Sequence, residues 1–151
     1  MEDKAELLEA LVARMKAADD ALHAGDAGPR KALWSTNEPV TVFGAARSAT
    51  GPVETQALFD WVASRFTRFG SAEWEIVSAD VSGDLAYVVA IEHTTVSISG
   101  APAEPYSLRA TTILRREDGE WRAIHRHADP LDPSAFARDR LLDRPFESTA
   151  H

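Results

Sequence analysis

The sequence predicts an α+β domain, with helices first and then an antiparallel sheet that curls around a long helix. Three observations carry this expectation. Up to Gly70, apolar residues recur at spacings of three and four. From residue 73 the pattern changes to alternation, enriched in β-branched and aromatic side chains. The chain has 151 residues, which suits one domain and allows about 68–70% of the unfolded surface to be buried without a staple.

The first helix is expected over residues 2–23. Leu7, Leu8, Leu11, Val12, Met15, Ala18 and Leu22 share one face, charged residues fill the other, and Gly25 stops it. Gly28-Pro29 opens a short second helix to about Trp34, with Pro29 where a missing N–H costs nothing. Val40–Phe43 is a short β-branched strand, and Ser48–Gly51 turns back from it. Pro52 and Glu54 start a long third helix with Leu58, Phe59, Val62, Phe66 and Phe69 on one face, ended by Gly70. Four strands follow, at about 73–82, 85–99, 105–116 and 120–129. Ser82-Gly83-Asp84, the loop Ser99–Glu104 and the Asp118-Gly119 hairpin turn separate them. Consecutive strands can pair as a meander, the helices can cover one face, and the open end leaves a hollow of the kind that binds apolar ligands.

Composition excludes several functions. The formal net charge is −8, which works against a polyanionic partner, so no nucleic acid is expected. There is no cysteine, hence no disulfide, thiolate nucleophile or Cys-based metal site. No apolar run reaches the roughly 20 residues of a membrane span. The start, Met1-Glu2-Asp3-Lys4, is unlike a secretory leader, so a cytoplasmic protein is expected. A Gly-x-Ser-x-Gly elbow, a phosphate loop and a dinucleotide fingerprint are all missing from the sequence.

Gly119-Glu120-Trp121-Arg122-Ala123-Ile124-His125-Arg126-His127 resembles the last strand of SnoaL-like domains, in the superfamily of nuclear transport factor 2 and ketosteroid isomerase. Leu108–Arg116, Val40–Gly44 and the helix ending Trp61–Phe66 resemble their counterparts there. The Trp-x-x-x-His-x-His ending is also similar to the association domain of calmodulin-dependent kinase II. The likeness runs over residues 5–130, in order. It implies a cone-shaped, nuclear transport factor 2-like (cystatin-like) fold: a strongly curved antiparallel sheet wrapped around a long helix, with N-terminal helices. It further implies a pocket between sheet and helices, often a homodimer, and no metal or organic cofactor. The domain is set at residues 1–132. Residues 133–151 are expected to form a short helix around Phe136, Leu141 and Leu142, then a polar tail.

Strand alternation sorts the side chains. Tyr106, Leu108, Ala110, Thr112 and Leu114 are expected to face the helices, with Ser107, Arg109, Thr111, Ile113 and Arg115 outward. Ala86, Val88, Ala90, Glu92 and Thr94 are placed inside, and Tyr87, Val89, Ile91 and His93 outside. On the last strand one set holds Trp121, Ala123, His125 and His127 and the other Arg122, Ile124, Arg126 and Ala128. Which set faces inward stays open, because one bulge reverses the answer.

Glu92, Tyr106 and His127 are the catalytic candidates. A carboxylate desolvated in an apolar cavity can act as acid or base, although pairing with Arg126 would leave it structural. Tyr106 could donate to a carbonyl oxygen. Trp34, Trp61, Thr112, His125 and Arg126 are the ligand-binding candidates, and Asn37 and Asp80 are further polar possibilities. His125 and His127 lie one strand removed from His93, which disfavours a shared metal, and no metal residue is assigned. Ketosteroid isomerases use an Asp base with a Tyr and a protonated Asp as donors. Limonene-type epoxide hydrolases use an Asp-Arg-Asp set, and neither arrangement can be assembled from the sequence.

Two functions stay open. One is cofactor-free acid–base chemistry (isomerase, dehydratase or cyclase type) on a small apolar carbonyl or polyketide-like compound. The other is a non-catalytic ligand-binding or dimerisation module, paired through the outer sheet face at Tyr87, Val89 and Ile113.

Overall fold

The computed structural model describes residues 3–132. The expected C-terminal helix and tail, 133–151, lie outside the described residues. Helix α1 spans Lys4–His23, α2 Gly28–Leu33 and α3 Pro52–Arg65. The strands are β1 Thr41–Phe43, β2 Ser48–Thr50, β3 Phe66–Ser82, β4 Leu85–Ile98, β5 Glu104–Glu117 and β6 Glu120–Pro130. They form one six-stranded curved sheet in the order β2-β1-β6-β5-β4-β3. All neighbours are antiparallel except β1 and β6, which run parallel with Thr41 opposite His125 and Phe43 opposite His127.

Each helix follows its local chemistry. The apolar stripe of α1 buries Leu11, Met15, Ala18 and Leu22, and Gly25 at φ 91° ends the turn where a side chain would be strained. The Asp26 carboxylate accepts the Gly28 N–H at 2.9 Å, and Pro29 occupies the first turn of α2. After α2, the Ser35 N–H donates to the Ala123 carbonyl at 2.9 Å and ties the chain to β6.

Two expectations are corrected. The third helix ends at Arg65, not at Gly70, and Phe66 and Phe69 belong to β3. Phe66 pairs with Ile98 and Phe69 with Val96, with a register shift between them. The shift turns both rings inward, where they lie 4.4 and 6.3 Å from the His23 ring. Gly70 marks a second irregularity, where a Cβ would stand 2.8 Å from the Thr95 carbonyl oxygen. Ser48–Thr50, read as a turn, is the edge strand β2. Its small polar residues carry no apolar alternation, so only pairing with β1 reveals it.

The core lies between the helices and the inner sheet face. Leu114, Val40, Val88 and Val96 are its most deeply buried large aliphatic side chains. Each such side chain contributes about 1.5–3 kcal/mol by leaving water. Along β4 and β5 the faces fall as alternation requires: Ala86, Val88, Ala90, Glu92 and Thr94 are buried, as are Tyr106, Leu108, Ala110, Thr112 and Leu114.

The last strand resolves through a bulge. Ile113 pairs with His125 but Leu114 pairs with Ala123, which leaves Ile124 as the extra residue. Trp121 and Ala123 therefore share the buried face with Arg126 and Ala128, while His125 and His127 face out.

Candidate functional site

A cavity of about 90 Å³ opens between α1, α2, α3, the β1–β2 turn and the inner sheet face. Val42, Leu58, Phe59, Val62, Phe66 and Leu108 form its apolar wall. Its polar lining comes from Asp19 and His23 on α1, Arg30 on α2, Arg47 in the β1–β2 turn, Glu92 on β4, Tyr106 on β5 and Arg126 on β6. Ionisable groups this deep survive only when paired.

Two buried ion pairs meet that requirement. Arg126 holds Glu92 through two hydrogen bonds, of 2.8 and 2.7 Å. Arg30 donates to Asp19 Oδ1 at 2.7 Å. Burial opposes the charge of Arg126, but Glu92 outweighs it and raises the guanidinium above its ordinary value. For Arg30, burial and then the nearby Arg126 outweigh Asp19 and lower it. Asp19 is 1% exposed. Its burial opposes ionisation, yet His23, Arg30 and Arg126 together hold its carboxyl below the usual range.

The third polar element is a chain of contacts from Asp19 through His23 to Tyr106. His23 Nδ1 lies 2.8 Å from the Asp19 backbone carbonyl, which can only accept, so Nδ1 carries a proton. Nε2 lies 2.5 Å from the Tyr106 hydroxyl, and in the uncharged ring it accepts that O–H. Asp19 Oδ2 stands 3.5 Å from Nδ1 and has no hydrogen-bond partner among the described residues. Burial, then the charges of Asp19 and Glu92, push the Tyr106 phenol well above its ordinary value, so it stays protonated.

The expected residues divide three ways. Glu92, Tyr106 and Arg126 meet at the cavity, and the alternative pairing of Glu92 with Arg126 is the one formed. Thr112 and Trp34 sit one layer deeper, with Arg30 and Arg126, around a space of about 10 Å³. Trp34 packs edge-on against Phe59 at 5.1 Å. Trp61 lies beside the cavity with the Arg47 guanidinium 5.9 Å from its ring centre.

His125 and His127 stand on the other face of the sheet, away from the cavity. The Phe43 ring meets each edge-on at 5.6 Å, and His125 Nδ1 lies 2.7 Å from the Thr41 hydroxyl. Burial and then the neighbouring His127 lower the His125 pKa. Asn37 is exposed near Glu117, and Asp80 is exposed and paired with Lys4. Among the described residues no three His, Cys, Asp or Glu side chains are grouped so as to share a metal ion. No helix among them is long and apolar enough to cross a membrane.

Sequence reasoning misses Asp19, His23, Arg30 and Arg47 as site residues. The signal for the first two is present. Asp19 is four residues after Met15, His23 four after Asp19, and both interrupt the apolar stripe of α1.

Comparison with known proteins agrees with this architecture. The model of the SnoaL-like domain family matches residues 11–132. No curated protein matches the chain in sequence. Among solved structures, a candidate dehydratase of the NTF2-like family from Streptomyces avermitilis superposes with a TM-score of 0.68 at 20% identity, over 82% of this chain and 95% of its own. A candidate calcium/calmodulin-dependent kinase II association domain from Thiobacillus denitrificans gives 0.66 at 23% identity, over 80% and 94%. A candidate scytalone dehydratase from Novosphingobium aromaticivorans gives 0.67 at 16%, over 83% and 84%. At these identities the likeness establishes the fold alone.

Proposed function

The chain belongs to the SnoaL-like domain family, and we propose that it binds a small, largely apolar molecule in the cavity and carries out cofactor-free proton transfer on it. The single observation behind this reading is the buried Asp19–His23–Tyr106 relay opening onto an apolar hollow. Tyr106, kept protonated, donates to a carbonyl or departing hydroxyl oxygen of the ligand. For this step the ring carries a second proton, so that Nε2–H donates to the Tyr106 oxygen and passes its proton there as the phenol gives its own to the ligand, while the Asp19 carboxylate offsets the charge of the imidazolium. Glu92 fixes Arg126 and so shapes the field around the reacting atoms, without giving up its own pairing. The uncharged ring left after that donation takes up, through the Tyr106 oxygen, the proton lost beside the carbonyl, which restores the imidazolium; dehydration or isomerisation beside a carbonyl is the chemistry that such a cycle performs.

Size bounds the ligand. An engineered apolar cavity of about 150 Å³ admits benzene, and this one offers about 90 Å³. A polyketide-sized compound would therefore project through the mouth.

The test follows butanone, diacetone alcohol and levulinate in D₂O by proton NMR. Wild-type protein should exchange protons beside the carbonyl, or release water, above the buffer rate. His23→Ala and Tyr106→Phe should fall to that rate. A wild type no faster than His23→Ala overturns the reading.

A second reading, binding without turnover, draws support from the ion pairs: both buried acids are already held by arginines. Ligand-observed NMR that detects binding with no exchange would favour it. For the assembly, we propose a homodimer through the outer sheet face, where Tyr87 and Leu85 are exposed and Val89 and Ile113 are half-buried. Light scattering on the eluting protein tests this, and a strict monomer at micromolar concentration overturns it.

A further inference from the structure

Charge around the cavity does not balance. Asp19 is matched by Arg30 and Glu92 by Arg126. Arg47, which also lines the cavity, is paired with no carboxylate among the described residues. Its Nε is fully buried and makes no hydrogen bond there. A buried guanidinium donor without an acceptor costs free energy. The cost is removed if something brought into the cavity supplies the acceptor.

The local structure holds this donor in place. Arg47 closes the β1–β2 turn, where the Gly44 N–H donates to the Arg47 carbonyl at 2.9 Å. A Cβ on Gly44 would stand 2.6 Å from that oxygen, so the turn closes this tightly only on glycine. The Arg47 guanidinium carbon stands over the Trp61 ring, 5.9 Å from its centre, within reach of a cation–π attraction. The planar guanidinium carries its N–H donors, the unpartnered Nε–H among them, in the fork that matches a carboxylate.

We propose that the ligand of this cavity is a small organic carboxylate, its apolar body against Val42, Leu58, Val62 and Leu108 and its anionic head on Arg47. One unmatched positive charge fits a monoanion. A phosphate monoester brings between one and two negative charges and would leave the site with an excess. The cavity of about 90 Å³ limits the body to a short chain. The proposal rests on the cavity being the ligand site, as in the proposed function. It does not depend on the His23–Tyr106 relay being catalytic.

The experiment titrates wild-type protein and Arg47→Ala, Arg47→Lys and Trp61→Leu variants with butyrate and levulinate. Their primary amides and inorganic phosphate serve as controls, and affinity is read by calorimetry. Wild type should bind each carboxylate about 10- to 100-fold more tightly than its amide, the factor expected of a hydrogen bond to a charged group. Arg47→Ala should abolish that preference, Arg47→Lys should keep part of it, and Trp61→Leu should weaken it. Equal binding of acid and amide by wild type overturns the proposal. So does an unchanged preference in Arg47→Ala, tighter binding of inorganic phosphate, or no binding of any carboxylate. Thermal melts of the variants identify any loss that comes from unfolding. If Arg47→Ala does not fold, Arg47→Lys decides: an unchanged preference there overturns the proposal. The relay and the carboxylate fail separately. Arg47-dependent carboxylate binding without proton exchange removes only the relay chemistry, and exchange without an Arg47-dependent preference removes only the carboxylate.

Discussion

Arg126 on β6 reaches across the whole width of β5 to hold Glu92 on β4 through paired hydrogen bonds of 2.8 and 2.7 Å. Glu92 is opposite Leu108, and Arg126 is opposite Thr112. The diagonal between them passes the register position of Ala110, where a small side chain leaves room for the guanidinium. The pair links three strands from inside the core, with Glu92 3% and Arg126 9% exposed.

Breaking this pair from one side should be costly. Glu92→Ala or Arg126→Ala strands a charge in the interior and is expected to lose about 3–5 kcal/mol of stability. Replacing both together, as Glu92→Leu with Arg126→Met, should recover most of that loss. Urea unfolding of wild type, the single variants and the double variant measures the coupling. Additive single losses would show that the two charges are not coupled.

Tyr106→Phe removes one hydroxyl and leaves His23 Nε2 without the partner now 2.5 Å away. The expected cost is about 1–3 kcal/mol, the penalty of an unsatisfied buried group. Denaturant midpoints measure it, and a phenylalanine variant as stable as wild type would show that Nε2 finds another partner.

Asp19 should make folding acid-sensitive. Burial opposes its charge, but His23, Arg30 and Arg126 prevail, so its folded pKa lies below the ordinary 3.8. For a depressed carboxyl, the stabilisation is complete above the unfolded pKa and drains away as pH falls through the folded one. Between about pH 5 and pH 2 the melting temperature of wild type should fall more steeply than that of Asp19→Asn. Parallel curves would sink this assignment.

His125 sets a second, smaller dependence on the outer face. Burial and the neighbouring His127 depress its pKa below 6.5, so the unfolded chain takes up the proton first as pH drops. The associated stability is complete above the unfolded value and is lost as pH falls from there through the folded one. Part of the ring meets solvent, which keeps the effect small. Imidazole resonances followed by NMR should titrate below the unfolded value. His125→Gln should flatten the melting profile between about pH 7 and pH 5, and an unchanged profile would remove His125 as its source.

The inward placement of Glu92 and Tyr106 is legible in the sequence because β4 and β5 pair from Leu85 opposite Arg115 to Val96 opposite Glu104 without a register shift. Alternation alone then assigns each side chain a face. On β6 the same rule fails at Ile124, and a bulge leaves no mark in composition. Phe66 and Phe69 mislead for a related reason: a spacing of three satisfies a helix face and also a strand with one extra residue. Asp19 and His23 escape notice when charge on a helix is credited to the solvent face. Their four-residue steps from Met15 place them on the stripe that packs. The bond from His23 to Tyr106 spans 83 positions, and no local pattern encodes it.

The extra residue at Ile124 has a consequence for how such a domain can change over generations. Without it, Ala123 would be followed directly by His125, and plain alternation would still send Ala123 inward, His125 outward and Arg126 inward. Loss of that one codon therefore leaves every later side chain on its present face. Loss of a codon two places earlier or later in the regular part of the strand has no bulge to absorb it locally, and a one-residue slip there exchanges the two faces. The fold thus carries a spare position beside a buried ion pair, where chain length can drift by one while the interior chemistry is inherited intact.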